Sequence, residues 1–441
     1  MIDLRRGDML TVLPTMEADS IEACCTDPPY HLTALPKGTF GHRLNGDGSD
    51  RTHQRNYQER GFMNQAWDGG DVAFRPETWA AVMRVLKPGG YLLAFGGTRT
   101  YHRLACAIED AGFEMRDTIA WLYGSGFPKS LDISKAIDRA AGAEREVVGK
   151  RTDRAATPKQ DFRSGRLHAG GGDNGAFDGS DITAPATDAA RQWSGWGTAL
   201  KPAMELICVA RKPLSERTVA ANVLRHSTGG LNIDACRVAC EPGANFTRPV
   251  NHTGLHEGWD RPWRHDPDAL ARERLKRDLM EAKAETLGRW PANVVHDGSA
   301  DVLRGFPETG ESVGGYRGAG ERLSGYGMKA DADKTPVGFG DSGSAARFFY
   351  TAKADKGDRA DSRHPTVKPV DLMRWLVRLV CPPGGTVLDP FAGSGTTGEA
   401  AMLEGFDAIL IEREAEHAAD IAHRVKRWHG GDLPLFVEAA E

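Results

Sequence analysis

Short apolar segments alternate with amphipathic ones along much of the chain. Runs of apolar residues predict strands at 20–27, 91–97, 116–124, 204–213, 386–389 and 407–412. Amphipathic periodicity predicts helices at 76–90, 100–112 and 368–381. Strands that alternate with helices at this spacing favour a parallel or mixed α/β sheet.

Two stretches interrupt this alternation. Residues 164–181 are rich in glycine and almost free of branched apolar side chains, which predicts a flexible loop. From about 214 to 346 the alternation is lost, with a charged helical segment at 268–285 and a glycine-rich one at 310–330. We interpret this region as a module inserted into the α/β core.

Length and charge narrow the class of protein. A chain of 441 residues predicts two or three domains, or one large domain with an insertion. The formal net charge of −5 argues against a protein that is basic all over, but a local basic face remains compatible with it. Seven cysteines are typical of reduced intracellular thiols, and no leader-like or membrane-spanning apolar segment is found. The expectation is a cytoplasmic protein without a membrane partner.

The segment "TVLDPFAGSGTTGEAAML" near the end reads as a strand, a glycine turn and a helix. Gly393 and Gly395 permit a tight turn and close approach of a ligand, and the helix start offers free N–H groups. Glu412 ends the next strand, 17 residues after Gly395, where a carboxylate can accept both hydroxyls of a ribose. No lysine follows the glycines, so the pattern indicates a nucleoside cofactor rather than a phosphate-binding loop.

Near the start, the strand at 20–27 runs into Asp27-Pro28-Pro29-Tyr30. Prolines stiffen such a turn and cannot join a ladder of hydrogen bonds, so nearby carbonyls stay available as acceptors. Asp27 and the Pro28 carbonyl then form two fixed acceptors beside the flat ring of Tyr30. This arrangement suits an exocyclic amino group on a planar base, whereas the simpler interpretation is a turn with a capping acid.

Together the two motifs resemble those of the DNA amino-methyltransferases that use S-adenosylmethionine. "DPPY" at 27–30 precedes "DPFAGSGTT" at 389–397, which is the order of the circularly permuted β-class. "GDML" at 7–10 and "HPTVKP" at 364–369 are similar to two further elements of that class, and 85–97 and 201–213 also fit its core. The resemblance covers about 1–212 and 347–441.

The resemblance implies a Rossmann-like methyltransferase fold: a mostly parallel seven-stranded sheet with helices on both faces, circularly permuted, with an inserted recognition region. It implies a catalytic half at 1–212, a target-recognition insert at 213–346 and a cofactor-binding half at 347–441. The implied catalytic residues are Asp27, Pro28, Pro29 and Tyr30. The implied cofactor-binding residues are Asp8 near the adenine, His364, Pro365, Thr366 and Lys368 near the methionine part, and Asp389, Phe391, Gly393, Ser394, Gly395, Thr396, Thr397 and Glu412.

The implied reaction is transfer of a methyl group from S-adenosylmethionine to an amino group of a base in double-stranded DNA. The base is flipped out of the duplex, Tyr30 stacks on it, and the sulfonium methyl transfers in line. An acid at the first motif position, here Asp27, favours adenine N6, and cytosine N4 is the alternative. A DNA-binding regulatory protein with an inactive core is a second alternative, although both motifs are intact. The resemblance leaves a companion restriction enzyme open, and a homodimer is one possible assembly.

Two further patterns lie in or beside the insert. Cys236, Cys240, His252 and His256 approach the spacing of a zinc finger, but prolines and a glycine stand where a finger needs a hairpin and a helix start. We therefore expect no metal and interpret Cys236 as a core residue. Basic segments at 210–226 and 261–277, with Trp259, Trp263 and Trp290, suit either a solvated surface or a DNA-facing one, and the loop at 31–70 could also contact DNA.

Overall fold

The computed structural model describes residues 1–31, 70–126, 130–150, 181–239, 266–269, 271–272, 275, 279, 288–310, 342–352, 356–359, 362, 366–428 and 436–439. The strands in these residues are β1 (Ile2–Arg6), β2 (Ile21–Thr26), β3 (Leu86–Gly96), β4 (Glu114–Leu122), β5 (Val147–Lys150), β6 (Asp181–Thr183), β7 (Met204–Arg211), β8 (Val294–His296), β9 (Glu308–Thr309), β10 (Gly343–Ser344), β11 (Tyr350–Thr351), β12 (Thr386–Asp389), β13 (Asp407–Glu412) and β14 (Phe436–Ala439). The α-helices are α1 (Met9–Val12), α2 (Pro76–Val85), α3 (Tyr101–Asp110), α4 (Ile133–Ala140), α5 (Asp188–Gln192), α6 (Val219–His226), α7 (Ala300–Leu303), α8 (Val370–Val380), α9 (Thr396–Leu403) and α10 (Ala415–Trp428).

Ten of the described strands form one sheet in the order β11-β8-β4-β7-β3-β2-β12-β13-β1-β14. All neighbouring pairs are parallel except those of β7, which runs antiparallel to both β3 and β4. The expected mostly parallel α/β sheet is therefore confirmed, but it is wider than the seven strands expected. The extra edge strands β8 and β11 have three and two residues, too few for apolar periodicity to reveal them.

Helices cover both faces of the sheet, as expected. Along β2 the side chains alternate: Ala23 and Cys25 pack into one buried cluster with α8, α9 and α10, whereas Cys24 packs into a second cluster with α1, α2 and α3. This alternation follows from the period-two geometry of a strand. Strands that are buried on both faces lack polar positions, which is why the sequence shows them as continuous apolar runs.

The helix predicted at 76–90 ends earlier than expected. Helix α2 stops at Val85, and Leu86–Gly96 forms one strand that includes the Lys87-Pro88-Gly89-Gly90 segment. Leu86 pairs with Ile21 and Tyr91 pairs with Ala23, so the four residues between these pairs on β3 oppose one residue on β2. The Lys87–Gly90 segment therefore forms a bulge within the strand rather than a loop.

The two ends of the chain meet in the middle of the sheet. β12 and β13, from the last sixty residues, lie between β2 and β1, from the first thirty. β12 pairs with β2 in parallel, with Leu388 opposite Cys24, so both strands end at the same edge. The turn after β2 and the glycine turn after β12 are therefore neighbours, and circular permutation of the chain stays a prediction.

The described chain divides into two compact units. One comprises Met1–Gly124 with Met204–Glu441, and the other is Ser125–Ala203. The sequence analysis did not separate the second unit from the expected catalytic half. Within it, α4 contacts α5, β5 pairs with β6, and the buried Asp138 accepts hydrogen bonds from both Arg145 and the Thr187 hydroxyl.

The segment 213–346, expected as an insert, contributes to the main sheet. β8 lies within it and pairs with β4, and α6 packs against β3. The role of this segment in target recognition stays a prediction. Among the helices of the described residues, we find none with the length and apolar character needed to cross a bilayer.

Candidate active site

A cavity of about 460 Å³ opens at the carboxyl edge of the sheet, where β2, β12 and β13 end. Open α/β sheets bind ligands at this edge. Of the predicted site residues that the structure describes, all but Gly395 line this cavity. His364 and Pro365 lie outside the described residues. The structure thus brings together residues from the two ends of the chain, while their roles stay predictions.

The Asp27–Tyr30 turn is held by contacts on both sides of it. The Thr100 hydroxyl donates to the carbonyl oxygen of Tyr30 at 2.9 Å. His31, the next residue, has a φ of 48°, and its Nε2 accepts from the Ala73 amide at 3.3 Å. A non-glycine residue in the left-handed region is uncommon and persists where its surroundings impose it. The turn is therefore a rigid support for Asp27.

The two carboxylate oxygens of Asp27 have different surroundings. Oδ2 accepts a hydrogen bond from Nζ of Lys368 at 2.6 Å. Oδ1 is buried and has no hydrogen-bond partner among the described residues. A buried acceptor without a partner carries a desolvation cost, which a donor supplied by a ligand would offset. One oxygen is thus held by the protein, and the other remains able to accept.

Lys368 lies under the turn in a cluster of charged and aromatic groups. Its ammonium nitrogen is 3.2 Å from Oε2 of Glu205 and 3.3 Å from the Tyr30 hydroxyl, which itself donates to Glu205 at 3.0 Å. The same nitrogen lies 4.9 Å from the ring centroid of Phe95. Burial alone would lower the pKa of Lys368, but Asp27 and Glu205 outweigh it and raise that pKa above its usual value.

Asp389, predicted as a cofactor residue, has both carboxylate oxygens engaged within the protein. Thr26 donates to Oδ1 at 2.7 Å and Thr397 donates to Oδ2 at 2.5 Å. The Phe391 amide also donates to Oδ1 at 3.1 Å. Burial raises the pKa of Asp389 to about 6, and hydrogen bonds from Thr26 and Thr397 oppose that shift. This carboxylate ties the end of β2 to the glycine turn and to the start of α9.

The glycine turn takes backbone conformations that suit glycine. Gly393 has a φ of 52° and Gly395 a φ of 79°. A Cβ on Gly395 would lie 2.9 Å from the Ile421 side chain, so α10 packs directly against the turn. Beyond the turn, the Ser394 and Thr396 hydroxyls lie 3.1 Å apart and are both buried. The turn is therefore compact on its inner side and faces the cavity on the other.

Glu412, at the end of β13, braces this turn. Its Oε2 accepts from the Gly393 amide at 2.7 Å, and its Oε1 accepts from the Glu414 amide at 2.7 Å. A carboxylate has about four acceptor positions, so each oxygen can accept one more donor, as a ribose would require. Nδ1 of His417 lies 3.8 Å from Oε1 of Glu412, and interaction with this carboxylate raises the pKa of the imidazole.

The remaining predicted cofactor residues border the cavity in different ways. Asp8 caps α1, with Oδ1 accepting from the Leu10 amide at 2.8 Å. Phe391 lies on the cavity wall, 6.4 Å from the Trp79 ring. Thr366 lines the cavity and is exposed. These positions are compatible with an aromatic and a polar part of one ligand.

Sequence reasoning missed Glu205 and His417. Glu205 lies at the start of β7, the one antiparallel strand of the core, and that direction brings it to the same edge as Asp27. An acid inside the apolar run "MELICVA" was the available signal. The interpretation of Cys236 agrees with the structure: it is buried, its thiol lies 3.7 Å from the Trp375 carbonyl, and burial raises its pKa to about 12. Cys240, His252 and His256 lie outside the described residues.

Comparisons with known proteins show the family to which this chain belongs. A family model named for N6 and N4 methyltransferases and described as DNA methylase matches residues 190–423, more than half of the chain. The type II methyltransferase M.HindIII from Haemophilus influenzae is 24% identical over 247 residues, which are 53% of this chain and 65% of that protein. The chain thus spans less than two thirds of the length of that relative.

Two solved structures are similar at low identity. The PvuII DNA methyltransferase, described as cytosine-N4-specific, has a TM-score of 0.41 and 12% identity, covering 96% of this chain and 86% of that one. The M1.HpyAVI–SAM complex has a TM-score of 0.34 and 14% identity, covering 96% of this chain and 100% of that one.

The chain belongs to the DNA methylase family. The family expected from the sequence is thereby confirmed. The matched residues begin after the Asp27–Tyr30 turn. The family match therefore does not cover this turn, and the support for its predicted role comes from its geometry.

Proposed function

We propose that this protein is a site-specific DNA methyltransferase that transfers a methyl group from S-adenosylmethionine to adenine N6. The observation that supports the proposal most directly is the state of Asp27. One of its oxygens is held by Lys368, and the other is a buried acceptor without a protein partner among the described residues. It lies in the same cavity as the glycine turn and Glu412. An amino group is the kind of donor that this oxygen lacks.

The residues around the glycine turn suit the cofactor. Gly393 and Gly395 allow close backbone approach, and Glu412 retains acceptor capacity for ribose hydroxyls. Asp8 and Phe391 would bound the adenine part, and Thr366 would lie near the methionine part. S-adenosylmethionine supplies an electrophilic sulfonium methyl group, so the protein needs no metal or covalent intermediate for this reaction.

The protein's own residues prepare the target amine. Oδ1 of Asp27 accepts one N–H of the amine and the Pro28 carbonyl accepts the other. Both interactions favour a pyramidal nitrogen and stabilise the positive charge that develops on it. The rigid turn keeps these acceptors in place before the base arrives, which lowers the cost of orientation. Tyr30 lines the cavity, and its ring offers a stacking face for the base that has flipped out of the duplex.

The choice of adenine rests on the acid at position 27, the residue type that the resemblance associates with adenine. Cytosine N4 presents a similar amino group, so both bases fit two acceptors beside an aromatic ring. The proposed partner is double-stranded DNA, and a homodimer is the proposed assembly. We also propose a cytoplasmic location.

The test is a transfer assay with methyl-labelled S-adenosylmethionine and DNA of mixed sequence. We expect label in the DNA, and we expect nucleoside analysis of the product to yield N6-methyladenine. N4-methylcytosine would replace the adenine assignment and keep the class of enzyme. DNA binding without label transfer would favour a regulatory protein with an inactive core.

A further inference from the structure

We propose that Lys368 and Glu205 are a pair of positioning residues for Asp27. Lys368 orients the carboxylate, and Glu205 keeps the net charge around it negative. The inference rests on the proposed function, because it concerns how the target amine is stabilised. It gives Lys368 a role different from the contact with the methionine part that the resemblance implies.

The donors of Lys368 are the first part of the argument. An ammonium group has three N–H donors. Three acceptors lie within reach of Nζ: Oδ2 of Asp27 at 2.6 Å, Oε2 of Glu205 at 3.2 Å and the Tyr30 hydroxyl at 3.3 Å. Lys368 is only 8% exposed. A buried ammonium with three protein acceptors has no donor left for the carboxylate of a ligand.

The charge of the cluster is the second part. Two carboxylates and one ammonium leave one net negative charge. The aromatic hydroxyls do not change this sum, because burial raises the pKa of Tyr30 well above its usual value and that of nearby Tyr123 to about 12. Asp389 faces Asp27 from β12, and its hydrogen bonds with the Thr26 and Thr397 hydroxyls add no positive charge to the cluster.

The chemistry explains why this charge matters. Methyl transfer moves a positive charge onto the amine nitrogen, next to Asp27. A carboxylate that is fully neutralised by a lysine would stabilise that charge poorly, whereas a cluster with a negative excess stabilises it well. Glu205 therefore lets the protein use a lysine to orient Asp27 without losing the electrostatic benefit of the acid.

The arrangement also predicts opposite effects on stability and on rate. An excess of buried negative charge is unfavourable for the folded state before any amine is bound. Removing the charge of Glu205 should therefore leave the melting temperature unchanged or raised, although it lowers the rate. A residue that only supports the fold would lower both.

The test is a double-mutant cycle with Glu205→Gln, Lys368→Met and the double variant. We expect Glu205→Gln to lower kcat by about 10- to 100-fold, less than the roughly 100- to 1,000-fold cost of losing a direct transition-state contact, because Glu205 acts through Asp27. In the Lys368→Met background, the same substitution should change kcat by less than about 2-fold, because the charge that Glu205 offsets is gone.

The acidic limb of the pH–rate profile of Lys368→Met should move to higher pH, since its carboxylates lack the ammonium.

Two measurements accompany the cycle. Calorimetry should show unchanged cofactor affinity in Glu205→Gln, and thermal unfolding should show no loss of its melting temperature. The matched control is Glu114→Gln, which removes an ion pair with Arg211 in the same sheet but outside the cavity. Its kcat should equal that of the wild type.

The outcomes separate this inference from the proposed function. No label transfer by the wild type contradicts the proposed function, and the inference falls with it. An active wild type with an unchanged kcat in Glu205→Gln contradicts the inference alone. The inference is also contradicted if Glu205→Gln lowers kcat by the same factor in the wild-type and Lys368→Met backgrounds, or if it lowers the melting temperature.

Discussion

At the scale of the residue, the acids of the cavity differ in which of their oxygens the protein already uses. Asp389 has both oxygens bound by hydroxyls, Glu412 has one protein amide on each, and Asp27 has one oxygen held by an ammonium and one without a partner. These differences fit a structural role for Asp389 and support the ligand-binding and catalytic roles that we propose for Glu412 and Asp27. The sequence predicts a role for each acid from its motif, but it does not show which of their oxygens the protein itself occupies.

The first prediction compares Asp27 with Asp389. Asp27→Ala should abolish methyl transfer and leave the affinity for S-adenosylmethionine largely intact, because Asp27 acts on the target amine. Asp389→Ala should instead lower the free energy of unfolding by about 1–3 kcal/mol, since it leaves buried hydroxyls without their acceptor. Transfer assays, calorimetry and denaturant unfolding measure these effects, and a near-normal rate in Asp27→Ala would contradict the catalytic role.

The second prediction concerns the cofactor side. Glu412→Ala should weaken S-adenosylmethionine binding by roughly 1–3 kcal/mol through lost ribose hydrogen bonds. Gly393→Val should block binding, because a φ of 52° strains a β-branched residue and the side chain would enter the turn. Glu416→Ala, at an exposed position of α10 outside the cavity, is the control. Unchanged affinity in both variants would remove the cofactor from this turn.

At the scale of the element, parallel pairing of β12 with β2 brings the two motif turns to one edge of the sheet. Helices α9 and α10 then hold the glycine turn from behind. A buried ion pair connects them: Arg424 donates to Glu399 at 2.5 Å, and both side chains are 2% exposed. Arg424 also donates to the Asp358 carbonyl at 2.6 Å, which links the helices to the segment before α8.

The third prediction tests this ion pair. Glu399→Gln should lower the free energy of unfolding by about 3 kcal/mol, because it leaves the buried Arg424 charge without its counter-ion. Combining Glu399→Leu with Arg424→Met should recover much of that loss, since two apolar side chains of similar size need no pairing. Denaturant unfolding with a constant m-value would measure both. A double variant no more stable than Glu399→Gln would show that the loss does not come from the unpaired charge of Arg424.

At the scale of the whole molecule, the chemistry and the choice of target are expected to lie in different parts of the chain. The core performs the same transfer at any site, whereas 213–346 carries basic and aromatic residues suited to phosphate contacts and base readout. Arg272 is exposed and lies 3.6 Å from Asp266, and Arg274 lies outside the described residues. Two elements of this segment join the core, since α6 packs against β3 and β8 pairs with β4.

The fourth prediction separates recognition from catalysis. Arg272→Ala with Arg274→Ala should lower DNA affinity and reduce the slope of log affinity against log salt by about 0.9 for each lost phosphate contact. Cofactor affinity measured without DNA should stay the same. Equilibrium binding at several salt concentrations is the measurement. An unchanged slope would place the DNA contacts elsewhere.

A chimera provides the complementary experiment. Replacing 240–287 with the matching segment of a relative that reads another sequence preserves α6 and β8, so the sheet stays complete. The expected result is an active enzyme with the target of the donor. Retention of the original target by an active chimera would move recognition outside 240–287, to the rest of 213–346, to the 31–70 loop or to the Ser125–Ala203 unit.

The sequence by itself determined the family and the regular part of the fold. The strands at 386–389 and 407–412 were predicted with their observed bounds, because an uninterrupted apolar run between breakers leaves little choice. The two motifs predicted the family, and their residues meet in one cavity. Local patterns carry this information, since it depends on neighbouring residues alone.

Tertiary structure alone decided the rest. Lys368 and Asp27 are 341 residues apart, and no local pattern shows that their side chains meet. The antiparallel direction of β7 brings Glu205 to them, and the edge strands β8 and β11 are too short to leave a periodic trace. The charge and the free oxygen of Asp27 therefore depend on contacts that exist only when strands from both ends of the chain lie side by side.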